Sequence, residues 1–349
     1  MAKRTTIRTI AEKLGISATT VFRALHDKPR VSEETKRAVL ETARKLDFKI
    51  NVLAQSLSRK PIRIAVVVVS TFPEFMHWLI GGIRRAKAEL TDHSVIVDYY
   101  INLDLPDIET TIRYFRKNLR MAIKKNYNGV LISVGGYCDE IALLKAKNIP
   151  VAAIITDIEQ DKRQFCVQYD GITAGKMAAE LFYWKFGKNA KVALATGTND
   201  IAIHLQTSRG FMEQAKKLSL EVVHECYNKD NEKLAYKNTG ELLNRYPDIQ
   251  GVYINSFNSR GVINYISDHK MAGKICLITS DINSYLKKCL KEGIVSATIF
   301  QNQYHQGELA LKYLYQYITE KVPIVDKILI KPEIILESNM DLYDHYCQV

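Results

Sequence analysis

Two textures divide the chain. Up to residue 46 apolar side chains recur at helical spacing, and from Ile62 onward short aliphatic runs alternate with amphipathic stretches. In the first texture Ile7, Ile10, Ala11 and Leu14 stand at i, i+3, i+4 and i+7, the spacing of one buried helix face. Gly15 predicts the stop of that helix, because the left-handed conformation costs glycine nothing, and Ser17 predicts the cap of the next. In the second helix Val21, Ala24 and Leu25 face inward and leave Ala18, Thr19, Thr20 and Arg23 outward. After a loop at Asp27-Lys28-Pro29-Arg30, Ser32 caps a third helix with Glu33 and Glu34 in its first turn, where the helix dipole favours acids. Val39, Ala43 and Leu46 carry its apolar face. Helix, tight glycine turn and helix form the helix-turn-helix geometry, whose second helix enters the DNA major groove.

The stretch from Asn51 to Pro61 offers a cap at one end and a stop at the other, room for one or two helical turns. Beyond it strands are predicted at Ile62–Val69, Ser94–Ile101, Val130–Val134, Val151–Ile155 and Phe165–Gln168. A second set follows at Lys191–Ala195, Glu221–Tyr227, Val252–Asn255, Ile275–Thr279 and Ala297–Phe300, with helical patterns such as Ala174–Trp184, Leu205–Leu218 and Gln306–Ile318 between strands. Repeated strand–helix–strand units imply parallel sheets covered on both faces. Two runs of strands suggest two similar lobes rather than one very wide sheet. Ligands in such folds bind beyond the carboxyl ends of the strands, so facing lobes would hold one between them.

Composition narrows the class. Of the 349 residues 47% are hydrophobic and 25% charged, values of a soluble globular protein. The longest uninterrupted aliphatic run, Ile64–Val69, is far too short to span a bilayer. No apolar stretch follows the basic N-terminus, so a secretion signal is not expected and a cytoplasmic location is. The cysteines at 138, 166, 226, 276, 289 and 347 show neither CxxC nor paired spacing, which fits reduced thiols better than a disulfide or metal framework. Charge changes the picture more. Residues 1–60 hold 14 Lys and Arg against 6 Asp and Glu, leaving 35 against 32 for the other residues. Basic charge is concentrated at one end, which points to a polyanion partner there, since each cation placed on a phosphate releases counterions.

Thr6-Ile-Arg-Thr-Ile-Ala-Glu-Lys-Leu-Gly-Ile-Ser-Ala-Thr-Thr-Val-Phe-Arg-Ala-Leu25, then Val31-Ser32 and Asn51-x-x-Ala54-x-x-Leu57, together resemble the LacI/GalR family of bacterial transcription regulators. Asp170-Gly-Ile-Thr-Ala-Gly175, Arg209-Gly-Phe211, Asp281 and Gln301-x-x-x-x-Gln306-Gly307 look like landmarks of that family's periplasmic-binding-protein-like effector domain. The resemblance implies an α/β fold: a small all-α helix-turn-helix headpiece followed by two doubly wound parallel-sheet lobes. It divides the chain into a DNA-binding domain at 1–50, a hinge helix or linker at 51–61 and an effector-binding domain at 62–349. The lobes of the last are expected at about 62–168 plus 300–325, and 169–299 plus 326–349.

By the same resemblance Ala18, Thr19 and Arg23 contact base edges, and Thr6, Ser17 and Thr20 hold phosphates. The chemistry agrees for Arg23, which can pair with guanine O6 and N7, and for threonine against a thymine methyl. Ala18 is smaller than the side chains often found at its position. In the hinge, with Asn51 and Ala54, Leu57 takes the place of a minor-groove wedge that unstacks a base step. For the effector site the resemblance points to Asp170, Asn255, Asp281 and Gln301. Arg209 directly precedes Gly210 instead of standing a few residues earlier like the family's ligand arginine, which leaves Thr207 and His204 as rivals. Phe72 and Phe75 are aromatic candidates for the apolar face of a sugar.

The reading is a sequence-specific transcription regulator, a repressor, controlled by a small ligand that is a sugar or a relative of one. A pentose, hexose, uronate or nucleoside would each suit carboxylates, amides and aromatics. The expected partners are a double-stranded DNA operator, that ligand and a second copy of the chain in a homodimer, with no membrane, metal or cofactor. No Walker A run, GxGxxG, HExxH, GxSxG or CxxC cluster appears, so no catalytic residue is assigned. A sugar-binding protein, a sugar-metabolising enzyme and an architectural DNA-binding protein are the rival classes. Whether the ligand induces or co-represses stays open.

Overall fold

The computed structural model describes residues 6–25, 29–46, 48, 61–90, 94–133, 139–197, 201–321 and 323–348. The chain forms two compact units, Met1–Lys60 and Pro61–Val349. The hinge residues Asn51, Ala54 and Leu57 lie outside the described residues.

In the first unit α1 spans Ile7–Leu14, α2 Ala18–Leu25 and α3 Glu33–Lys45. Thr6 caps α1 reciprocally with Thr9, each accepting the other's backbone N–H through its side chain. Gly15 ends the helix at φ 63° and ψ 29°, the left-handed turn read from the sequence. Ser17 accepts the Thr20 N–H at 3.0 Å and so caps α2. Ile10, Val21 and Val39, one from each helix, are fully buried and make the centre of the small core with Ala11, Ala24 and Ala43.

The second unit carries two six-stranded sheets. In the first, β1 (Ile62–Val69), β2 (Val95–Asn102), β3 (Gly129–Ile132), β4 (Val151–Ile154), β5 (Phe165–Tyr169) and β11 (Lys327–Ile330) run in the order β11-β5-β4-β3-β1-β2. All its pairings are parallel. In the second, β6 (Lys191–Thr196), β7 (Glu221–Tyr227), β8 (Gly251–Ile254), β9 (Cys276–Ser280), β10 (Ala297–Phe300) and β12 (Glu333–Ile335) run in the order β12-β10-β9-β8-β6-β7. Only β12 is antiparallel, against β10. Ile64–Val69 are buried at every position, as strands covered by helices on both faces must be.

Nine helices among the described residues cover the sheets: α4 (Pro73–Glu89), α5 (Ile108–Lys125), α6 (Asp139–Ala146), α7 (Gly171–Phe186), α8 (Ala202–Lys217), α9 (Glu232–Arg245), α10 (Arg260–Asp268), α11 (Ser284–Lys291) and α12 (Gln303–Glu320). Glycines in the landmark motifs permit close helix approaches. A Cβ at Gly175 would overlap the Thr207 carbonyl, and one at Gly307 the Leu79 carbonyl, so α7 packs on α8 and α12 on α4 with backbones nearly touching.

One lobe boundary differs from expectation. Residues 326–349 are expected whole in the second lobe, yet β11 adds to the first sheet beside β5. The reason is a buried arginine. The Arg163 guanidinium donates to Asp157 at 2.5 and 2.8 Å and to the Asp326 carboxylate at 2.6 Å, and Lys327 reaches Asp157 at 2.9 Å. These pairs anchor the start of β11 to the first lobe. The chain then crosses between lobes at Asp170, at Gln301–Asn302 and at Lys331–Pro332.

Candidate ligand cleft and DNA-reading helix

The carboxyl ends of both sheets open on a cavity of about 210 Å³. From the first lobe it is lined by Ser70, Thr71 and Phe72 after β1, Phe75 and Met76 on α4, Thr111 on α5, Ser133 after β3, and Ile155 and Thr156 after β4. The second lobe supplies Ile201, Ile203 and His204 at the start of α8, Asp230 after β7 and Phe257 after β8, while Gln301 enters at a crossing.

Phe257 stands across the cleft from Phe72 and Phe75, with ring centroids 5.8 and 5.4 Å apart. The two lobes therefore already touch through aromatic rings at this wall. Ser133 is 5% exposed and its hydroxyl has no partner among the described residues, although buried polar groups are normally bonded.

Asp230 has a left-handed backbone at φ 50°. Its carboxylate and the His204 ring crowd the same point of the β6 loop: a Cβ at Gly197 would lie 2.5 Å from Asp230 Oδ1 and 2.6 Å from His204 Cε1. Burial pushes the Asp230 carboxyl above its ordinary value, while the His204 charge and a Ser256 hydrogen bond pull it back.

Four expected effector contacts, Phe72, Phe75, His204 and Gln301, line the cavity; the other five do not. Asp170 caps α7 instead, accepting the Thr173 N–H at 3.0 Å and the Thr173 hydroxyl at 2.7 Å. Its own N–H donates to the Ile330 carbonyl at 2.9 Å, so it ties two of the interlobe crossings together. Thr207 is fully buried, its hydroxyl 2.8 Å from that of Tyr169 and donating to the Ile203 carbonyl. Arg209 lies on the surface, paired with Glu213 at 2.7 Å. Its place directly before Gly210 turns it away from the cleft.

Asn255 is buried and donates to Ser208 Oγ at 3.0 Å, while its own Oδ1 has no partner among the described residues. Asp281 is also buried. It accepts the Gln301 N–H at 3.2 Å, the Gln301 amide at 2.8 Å and the Gln303 amide at 2.6 Å. Burial pushes its carboxyl up to about 7, against the opposing pull of those hydrogen bonds. Ser133, Thr156, Asp230 and Phe257 escaped the sequence reading. All stand just beyond strands of the two sheets, and applying the strand-end rule to every strand would have marked them.

In the first unit Ala18 and Thr19 are exposed at the start of α2. Thr20 turns its hydroxyl to Ser17 at 2.8 Å, and Arg23 is half-buried one turn further on. Thr6 is committed to capping α1, and its exposed position leaves that cap at the surface.

Residues 64–321 match the periplasmic binding protein domain, and residues 6–51 match the bacterial regulatory proteins of the lacI family. Among curated relatives, the HTH-type transcriptional regulator RegA of Clostridium acetobutylicum is 29% identical over 161 residues, 46% of either chain, so the chain spans a little under half of that regulator's length. The ribose operon repressor of Bacillus subtilis is 24% identical over 251 residues, 71% of either chain. Among solved structures, GanP, a glucose-galactose binding protein from Geobacillus stearothermophilus, superposes with a TM-score of 0.72 at 20% identity. That superposition covers 81% of this chain and 99% of the other, a likeness of fold.

Proposed function

Because this chain belongs to the lacI family of bacterial regulatory proteins, we propose that it is a transcription repressor whose hold on operator DNA is set by a small polyhydroxylated ligand in its cleft. The observation that carries this reading is the pairing, in one chain, of a basic helix-turn-helix with a cleft that holds a buried hydroxyl, Ser133, with no partner among the described residues. Support for a sugar comes from the hydroxyl and aromatic lining, from the ribose in one relative's name and from the sugars of the similarly folded binding protein.

Two copies form a homodimer and present two α2 helices to half-sites of a roughly palindromic operator in the cytoplasm. Ala18, Thr19 and Arg23 read base edges, Ser17 and Thr20 meet phosphates, and Leu57 wedges the minor groove at the centre. A ligand drawing the lobes together turns them about the crossings at Asp170, Gln301 and Lys331, which alters the relation of the two copies and of their hinges. By linkage, DNA then changes ligand affinity by the same factor. The cleft recognises its ligand and carries out no reaction.

The test is selection of bound duplexes from a genomic fragment library, followed by retention of the selected duplex with and without sugars. An enriched palindrome whose binding responds to a sugar is the expected result. Equal retention of random duplexes would overturn the reading.

A further inference from the structure

We propose that the cleft admits a single-ring, uncharged polyhydroxylated ligand and rejects anionic ones, with Asp230 of the second lobe as the residue that rejects them. This rests on the ligand-binding reading of the cleft above and deepens it, because pentoses, hexoses, uronates and nucleosides all suited the sequence alone.

Size comes first. A cavity of about 210 Å³ falls below the roughly 300 Å³ at which pockets for drug-sized ligands begin. That space is on the scale of one sugar ring, with the touching rings of Phe72, Phe75 and Phe257 forming one wall of it.

Charge decides the rest. Among the described residues that line the cavity, the ionisable ones are Asp230 and His204, and no lysine or arginine takes part. The other polar groups are the hydroxyls of Ser70, Thr71, Thr111, Ser133 and Thr156 and the amide of Gln301. Hydroxyls and amides satisfy neutral hydroxyl groups in either direction. A carboxylate or phosphate taken out of water needs a cation, preferably the bidentate fork of an arginine. In this cleft an anion would instead meet the Asp230 carboxylate. The His204 ring crowds the same point at Gly197, and its charge favours the ionised form of the Asp230 carboxylate. Arg209, whose motif pointed to ligand, is spent on Glu213 at the surface.

Asp230 thus faces the ligand from one wall as an acceptor for hydroxyls, and Ser133, whose hydroxyl has no partner among the described residues, faces it from the other. Selectivity lies in the first and general affinity in the second.

Calorimetry on the full chain with D-glucose, D-galactose, D-ribose and L-arabinose, with D-glucuronate, D-galacturonate and glucose 6-phosphate, and with maltose and adenosine, tests this. At least one neutral monosaccharide should bind, and its uronate or phosphate counterpart should bind at least about tenfold more weakly. Asp230→Asn should narrow that ratio, with Asp230→Ser reading the same ratio should the amide not be tolerated. Ser133→Ala should weaken sugar and uronate alike. A uronate, phosphate, disaccharide or nucleoside binding as tightly as any monosaccharide overturns the proposal, as does an unchanged ratio in the Asp230 variants. Binding of a neutral sugar with no effect on operator retention leaves the selectivity standing and overturns the regulatory reading. No heat from any member overturns the cleft as a sugar site, and the selectivity with it.

Discussion

The Asp281 carboxylate holds Gln301 in place twice over, accepting its backbone N–H at 3.2 Å and its side-chain amide at 2.8 Å. Gln301 lines the cleft and also begins a crossing between lobes, so a residue that touches no cavity fixes one that does.

Burial of the same carboxylate makes stability depend on pH. Burial lifts the folded-state value of Asp281 from 3.8 to about 7. The folded state therefore binds this proton more tightly than the unfolded chain. Its contribution is most favourable below the unfolded value and is lost as pH rises towards 7. Between pH 5 and pH 8 the loss is on the order of 3 kcal/mol. Asp281→Asn should remove most of that slope in urea denaturation followed at both pH values. A slope identical to that of the parent protein would place its origin elsewhere.

Phe257 gives a test of closure. It is the second-lobe ring that meets Phe72 and Phe75 across the cleft. Aromatic pairs contribute about 0.5–1.5 kcal/mol each beyond the area they bury. Phe257→Ala should weaken the tightest-binding sugar by about ten- to a hundredfold, while operator affinity without sugar stays within about twofold. A variant that bound sugar normally would show that the ring wall plays no part in closing the lobes.

How much was legible in the sequence depended on burial. Strands such as Ile62–Val69 announce themselves because a strand covered on both faces must be aliphatic throughout. β11 and β12 were missed because Lys327–Ile330 and Glu333–Ile335 are short, sit beside charges and join their sheets at an edge. What places β11 is the Arg163 cluster, a contact between residues 163 positions apart that no local pattern contains. The candidate site followed the same logic. Phe72 and Gln301 were readable as residues just past a strand, and Asn255 and Asp281 occupy equivalent places yet turn into buried hydrogen bonds. Chain position locates the end of a strand, and packing decides which way the side chain leaves it. Ser133 and Thr156 went unmarked because single hydroxyl residues are common everywhere.

Two glycines should fail for different reasons. At Gly175 a methyl group meets the Thr207 carbonyl and the Phe211 nitrogen, backbone atoms that no rotamer change can move. Gly175→Ala should cost about 3 kcal/mol or more, at or above the usual range for overpacking. Gly273 has open space around it and a φ of 76°. Gly273→Ala should cost only about 1 kcal/mol, the strain of a left-handed alanine. Equal shifts in urea midpoint would mean that α7 and α8 slide apart to accommodate the methyl.

In the headpiece, Thr6 and Arg23 separate folding from reading. Thr6→Ala removes the reciprocal cap with Thr9 and should cost about 1 kcal/mol of headpiece stability. Its effect on DNA should be uniform across sequences and should shrink on cooling, as the folded fraction recovers. Arg23→Ala leaves that cap and the Gly15 turn intact and places a better helix former in α2. It should cost about 1–3 kcal/mol on the selected operator, with far less effect on random duplex. The salt dependence supplies the second readout. A base contact leaves the slope of log affinity against log salt nearly unchanged, whereas a lost phosphate contact lowers it by about 1. If Arg23→Ala weakened every duplex equally and flattened that slope, Arg23 would be a backbone anchor, and reading would fall to Ala18 and Thr19.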